Sequence, residues 1–156
     1  RLPGVAFHIY GSSMPKSFDK YEAEDVVLEG FIESLDTVFE STRVMVAPLL
    51  SGAGIKGKVL EGMSAGIPQV LTPVAAEATG LTHGVSAMIV EEPEAWVEAV
   101  AELYENEERW QQVSDNALAL AKNNYSFGNG IKGMAKALEG VGVYPPNRKK
   151  ALIAQH

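Results

Sequence analysis

Residues Ser51 to Pro68 read SGAGIKGKVLEGMSAGIP and gather three glycines, two lysines and a glutamate into one short stretch. Gly52, Gly54 and Gly57 fall in the spacing G-x-G-x-x-G, with Lys56 and Lys58 flanking Gly57 and Glu61 one turn further on. Glycine lets backbone approach an anion closely, and a helix start offers free N–H groups and the positive end of a dipole. The stretch follows the apolar VMVAPLL and runs into a helical pattern, a context that suits anion binding. The same glycines would also serve a strand-to-helix turn made only for close packing.

Three ligand chemistries compete for this loop. Read as G-x-x-x-x-G-K-[ST], it supplies Gly52, Gly57 and Lys58, but Val59 stands where a hydroxyl should ligate magnesium. Read as a dinucleotide fingerprint, it supplies the glycines, and Glu77 lies near the spacing of a ribose-binding acid. That fingerprint belongs to the first βα turn of its fold, whereas two strand-like runs precede this loop. A third reading uses more of the residues. Lys56 and Lys58 would point about 200° apart on a helix, so a helix that starts after Lys56 leaves that lysine in the loop, free to reach an anion. Lys58 then sits in the first turn, where a cation is unfavourable unless an anion is near. Glu61 shares a face with Gly57 and Lys58 and can accept two hydrogen bonds from a vicinal diol such as that of a ribose. It can equally be a surface acid paired with Lys58.

The elements around the loop alternate. Val5–Tyr10, Val26–Leu28, Val44–Ala47, Gln69–Pro73 and Ala87–Val90 are apolar runs of strand length, and helical patterns lie between them. A helix is expected after Pro15. Ile32, Leu35, Val38 and Phe39 recur at helical spacing, and the loop helix runs from about Lys56 to Ala65, ended by Gly66 and Pro68. After Glu91 the pattern is helical. Trp96, Val97, Val100, Leu103 and Tyr104 form one stripe, followed by Trp110, Val113, Leu118 and Leu120, then a glycine-weakened helix in SFGNGIKGMAKALEG. We read the Trp96 and Trp110 stripes as core packing. Alternating strands and helices define an α/β fold, with a parallel sheet and helices on both faces and a helical C-terminal segment.

The 156-residue chain is 46% hydrophobic and carries a formal charge of −7, a globular composition. The acidity argues against a general nucleic-acid binder, which needs a basic face. With no cysteine there is no disulfide, thiolate metal site or cysteine nucleophile, and we assign no metal-binding residue. No apolar run reaches membrane-spanning length, and the opening segment lacks a signal core. A cytoplasmic setting is the simplest expectation. His8 reads as a strand histidine and His83 as a surface-loop histidine. The basic run Asn147–Lys150 reads as a solvated tail, with a peripheral contact to anionic lipid as its functional alternative.

The stretch from Val46 to Leu81, VAPLLSGAGIKGKVLEGMSAGIPQVLTPVAAEATGL, resembles the donor-binding half of group 1 glycosyltransferases of the two-domain GT-B fold. So do the upstream DVVLEGFIESLDTVFESTRVMVAP and HIYGSSMP, the latter similar to the family's strand and Gly11-type loop; the likeness runs from about Val5 to Tyr125. The family often carries Glu-x7-Glu across this loop and helix. Here Glu61 matches the second glutamate, which touches ribose, and Ala53 stands at the first, which touches the donor sugar.

The resemblance implies a Rossmann-like three-layer domain over residues 1–140, with a C-terminal tail over 141–156. Gly52, Ala53, Gly54, Ile55 and Lys56 would cradle the diphosphate of a nucleotide sugar, with Lys58 and Glu61 beside them and Gly11 and Glu77 lining the same cleft. The donor is a substrate, and no tightly bound cofactor is implied. The acceptor would be a glycan, a lipid or a small molecule, held by an N-terminal domain that this chain lacks together with the first βα unit. On that expectation no catalytic residue is assignable within the chain, and the chain alone transfers nothing.

Overall fold

A computed structural model describes residues 2–143, so Asn147–Lys150 lie outside the described residues. Five short strands are β1 (Phe7–Tyr10), β2 (Val26–Gly30), β3 (Met45–Ala47), β4 (Gln69–Leu71) and β5 (Met88–Ile89). A 3₁₀ turn spans Lys16–Tyr21. The α-helices are α1 (Asp36–Ser41), α2 (Gly57–Ser64), α3 (Pro73–Ala76), α4 (Pro93–Glu105), α5 (Glu107–Tyr125) and α6 (Phe127–Gly140). Every ladder between strands is parallel, as the alternation of elements requires. The pairing is divided between a two-stranded sheet, β1-β2, and a three-stranded sheet in the order β3-β4-β5.

The centre of the fold is β4. Its side chains alternate between faces, and both faces are covered. Leu71 packs with Val59 and Met63 of α2, Ala75 of α3, and Ala117 and Ala121 of α5. Val70 points the other way, into Met88 of β5, Ala99 and Leu103 of α4, and Val113 of α5. Helix α5 therefore serves both clusters, and its buried stripe is small: Val113, Ser114, Ala117 and Ala121. Leu118 and Leu120 are only half-buried, which corrects the expected leucine stripe. Small side chains let α5 lie close, and Ser114 donates its hydroxyl to the Gly66 carbonyl at 2.6 Å. On α4, Val97 is exposed rather than part of the core, while Ala99, Ala101 and Leu103 further along the helix are buried.

Trp96 packs against the Val70 cluster. Trp110 does something more specific. Its indole N–H donates to the Arg43 carbonyl at 2.6 Å, and the Arg43 guanidinium lies over both the Trp110 and the Tyr104 rings, at 5.7 and 5.6 Å. Arg43 Nε donates to the Tyr104 carbonyl at 2.7 Å. The entry to β3 is thereby fastened to α4 and α5.

The first forty residues are built differently. Among the described residues, none from β1, β2 or α1 belongs to either core cluster. Phe7 and Phe31 are 46% and 69% exposed, an unusual state for apolar residues on or beside parallel strands. The helix expected after Pro15 is a six-residue 3₁₀ turn with no buried residue. The spacing of Ile32, Leu35, Val38 and Phe39 yields only six residues of helix, starting after Leu35, with no buried residue either. Without a face to pack on, helical periodicity alone extends a helix little.

Candidate functional site

Strands β3 and β4 run side by side in register, Ala47 opposite Leu71, so the chain leaves both strands at the same sheet edge. The carboxyl ends of parallel strands are where open α/β sheets place ligands. The segment after β3 is the glycine-rich loop; the segment after β4 is α3 and the turn Glu77–Gly80.

The loop takes a shape that needs its glycines. Gly52 has φ +139° and Gly54 φ +71°, conformations that side chains disfavour. Lys56 is the N-cap of α2, in extended backbone, and Gly57 is the first helical residue. The helix thus starts just after Lys56, the arrangement that leaves this lysine in the loop. An N-cap is usually Ser, Thr, Asp or Asn, whose oxygen accepts from an orphan N–H. Thr72, Asn106 and Ser126 do so for α3, α5 and α6. Lysine has no acceptor, and among the described residues the main-chain N–H groups of residues 52–58 donate to no main-chain acceptor. Within that run a β-carbon added at Gly54 or Gly57 would meet nothing within 4 Å, so the mouth of the loop is open.

The side chains divide into two pairs. The Lys56 side chain is only 14% exposed, and its ammonium donates to the Gly54 carbonyl at 2.5 Å and lies 3.7 Å from a Glu77 carboxylate oxygen. Its methylene stem passes over Gly52, where a β-carbon would stand 3.3 Å from Cε. Lys58 turns to the other side and pairs with Glu61 at 3.2 Å, both well exposed. The two lysines therefore diverge. The Lys58–Glu61 contact is the i,i+3 surface pair that the spacing allows, and exposed pairs of this kind are worth under about 1 kcal/mol. Nothing in it prevents either side chain from turning to a ligand. Lys58 stands at the second position of α2, whose first turn holds no acidic residue. Its charge there opposes the helix dipole.

The structure does not bring every expected residue to this place. Gly11 ends β1 in the other sheet, and its N–H is committed to the Gly30 carbonyl at 2.8 Å. Ile55 sits on the loop with its side chain 47% exposed. Ala53 lies between the two glycines of positive φ and offers only its main chain. His83 accepts the Ile89 N–H on Nδ1 at 2.9 Å, so its ring is engaged with the end of β5.

Two residues that the sequence reading passed over hold the site together. Thr72 donates its hydroxyl to the Leu49 carbonyl at 2.7 Å and accepts the Ala75 N–H at 3.2 Å, tying the base of the glycine loop to the cap of α3. The sequence Thr-Pro was its signal, an N-cap followed by proline at N1. Tyr125 at the end of α5 donates its hydroxyl to the carbonyls of Ala78 and Thr79, at 3.0 and 3.1 Å. No local pattern announces that contact, which joins residues 46 or more apart.

Fold and loop together define a Rossmann-like α/β domain with a glycine-rich strand-to-helix turn at the carboxyl end of its sheet. The profile of the glycosyl transferases group 1 family matches residues 1–106, and the chain belongs to that family. A 44.6 kDa uncharacterized protein in the cps region of Klebsiella pneumoniae is 26% identical over 126 residues, 80% of this chain and 32% of its own length. Anabaena HepE, solved in complex with UDP and glucose, superposes with a TM-score of 0.75 at 16% identity, over 88% of this chain and 41% of HepE. Sucrose-phosphate synthase from Thermosynechococcus elongatus gives 0.72 at 14% identity, over 86% of this chain and 38% of that enzyme. The chain thus spans about a third to two fifths of the length of these relatives. Among the described residues no helix is long and apolar enough to cross a membrane.

Proposed function

We propose that this chain is the donor-binding part of a group 1 glycosyl transferase and holds the diphosphate of a nucleotide sugar at the start of α2. The observation that carries the reading is the open run of main-chain N–H groups from residue 52 to 58, with Lys56 at the helix cap. Such a nest favours anions, and a second cation, Lys58, stands in the first turn of α2, where its exposed pair with Glu61 is weak and a bound anion would favour it further. Glu61, one turn further along α2, would accept the hydroxyls of the ribose after leaving Lys58. HepE, which shares the fold, was solved with UDP, and this makes UDP the first nucleotide to test.

In this reading the loop stabilises charge that builds on the leaving diphosphate during glycosyl transfer, through fixed N–H dipoles and the Lys56 ammonium. The acceptor would be held by a domain outside this chain. Two observations support that part. The relatives are two to three times longer. In addition, β1 and β2 contribute nothing to either core cluster, which suits a segment whose packing partners lie elsewhere.

Isothermal titration with UDP, GDP, ADP, NADH and ATP tests the proposal. A UDP or GDP preference that is lost in Lys56→Ala and reduced in Glu61→Ala is the expected result. Preference for NADH or ATP would assign the loop to a different nucleotide chemistry. Absence of binding to all five would leave an interaction module that keeps only the fold.

A further inference from the structure

The donor-binding reading leaves the sugar unaccounted for, and the inference here rests on that reading. Hexose hydroxyls are recognised chiefly by carboxylates, which accept two hydrogen bonds at once. From Ser51 to Lys58 the loop has no carboxylate: position 53 is alanine, and the loop offers N–H donors and ammonium groups. One carboxylate is nevertheless brought to it from outside. Glu77 reaches the Lys56 ammonium at 3.7 Å, and that same nitrogen touches the Gly54 carbonyl at 2.5 Å and lies 3.9 Å from where a Gly52 β-carbon would be. The three contacts place the Glu77 carboxylate beside the two glycines that bracket Ala53.

The turn that delivers Glu77 is built for its position. Glu77 is the C-cap of α3, and its backbone, at φ −52° and ψ 132°, leaves the helical conformation. The next residue, Ala78, has φ +59°, a left-handed conformation that costs a non-glycine residue free energy. It is held there by the Tyr125 hydroxyl on its carbonyl and by Thr79, which is fully buried. Thr79 donates to the Ala76 carbonyl at 2.6 Å and accepts the Leu81 N–H at 3.2 Å. A turn fastened at this many points sits under a carboxylate that remains 57% exposed.

We propose that Glu77 reads the sugar of the donor, accepting hydrogen bonds from hydroxyls of a hexosyl group attached to the diphosphate. At 3.7 Å its contact with Lys56 is longer than a hydrogen bond, so it is readily exchanged. A diphosphate arriving at the loop amides attracts the Lys56 ammonium and frees Glu77. The group next along the donor from the diphosphate is the hexose, and the freed carboxylate faces it.

The test compares UDP with UDP-glucose, UDP-galactose and UDP-N-acetylglucosamine by calorimetry, in the wild-type chain, Glu77→Gln and Glu77→Ala. The wild type is expected to hold one UDP-sugar more tightly than UDP. Both variants should keep UDP affinity within about threefold and lose about tenfold or more for that sugar nucleotide. The double variant Glu77→Ala, Ala53→Glu should recover part of the preference, because it returns a carboxylate to the same place. Equal weakening of UDP and UDP-sugar would make Glu77 only a positioner of Lys56 and overturn the proposal. So would a sugar preference that survives both variants, or a wild type that binds UDP but favours none of the three sugars. A wild type that binds no UDP removes the donor-binding reading itself, and this inference with it. Circular-dichroism melting of each variant guards against misfolding.

Discussion

The Thr72 hydroxyl joins two loops: it donates to the Leu49 carbonyl at 2.7 Å while accepting the N–H of Ala75 at 3.2 Å. One side chain therefore fixes both the path of the chain into the glycine loop and the start of the helix that leads to Glu77. Thr72→Val keeps the shape and removes both bonds, leaving the Leu49 carbonyl and the Ala75 N–H without this partner. A loss of about 1–2 kcal/mol is expected, and about 2–8 °C in Tm by calorimetric melting. Thr72→Ser should restore most of it.

Gly57 and Gly62 lie on one helix and should respond oppositely to alanine. At Gly57 an added β-carbon meets nothing within 4 Å, and alanine favours helix by up to about 1 kcal/mol, so Gly57→Ala should melt no lower than wild type. If the start of α2 holds a diphosphate, as proposed, the added methyl crowds it, and UDP affinity should fall about tenfold or more. At Gly62 the β-carbon would stand 2.7 Å from Met45 Sδ and 3.2 Å from Gln69 Nε2. Gly62→Ala should cost about 1–3 kcal/mol in urea denaturation through overpacking. A Gly57→Ala protein that binds UDP normally would remove the cradle from the start of α2.

Lys58→Met separates binding from stability. The Lys58–Glu61 pair is exposed and screened, so the change in unfolding free energy should stay within about 0.5 kcal/mol. If Lys58 meets a phosphate, the variant should bind UDP more weakly and with a shallower dependence on salt concentration. Titrations at low and high ionic strength give both readings.

Ala78 stores strain that glycine would release. Ala78→Gly should raise stability by about 0.5–1 kcal/mol at φ +59°. Tyr125→Phe should lower it by about 1 kcal/mol, since two carbonyls lose their donor. Thermal melts of the two variants and of the pair would show whether the tyrosine is what holds the turn.

Much of this was legible in the residues. Gly66 and Pro68 closed α2, Pro93 opened α4, and the run Val44–Ala47 before the glycines gave β3 at the loop's base. Those signals are local, and local chemistry is what a sequence displays. Helix α3 was hidden because its Thr-Pro opening sits at the end of an apolar run and reads as a strand's end; the helix is four residues long. The resemblance implied that Glu77 lines the cleft, but its meeting with Lys56 itself could not be read from the residues. It depends on β3 and β4 being neighbours in register, a fact of sheet order that periodicity does not carry. Likewise, helical spacing from Ile32 to Phe39 overstated α1, since no core surface stands against it to reward the pattern.

Beside its core packing, helix α5 hydrogen-bonds through Trp110, Ser114 and Tyr125 to Arg43, Gly66 and Ala78 in turn. It thereby acts as a ruler. At about 1.5 Å and 100° per residue, one amino acid inserted between Trp110 and Ser114 would swing the later grips a quarter-turn off their targets. The length of this rod is consequently held to the residue, whatever its outward-facing composition. Engineering or natural variation in this region should be free to substitute and barred from adding or removing.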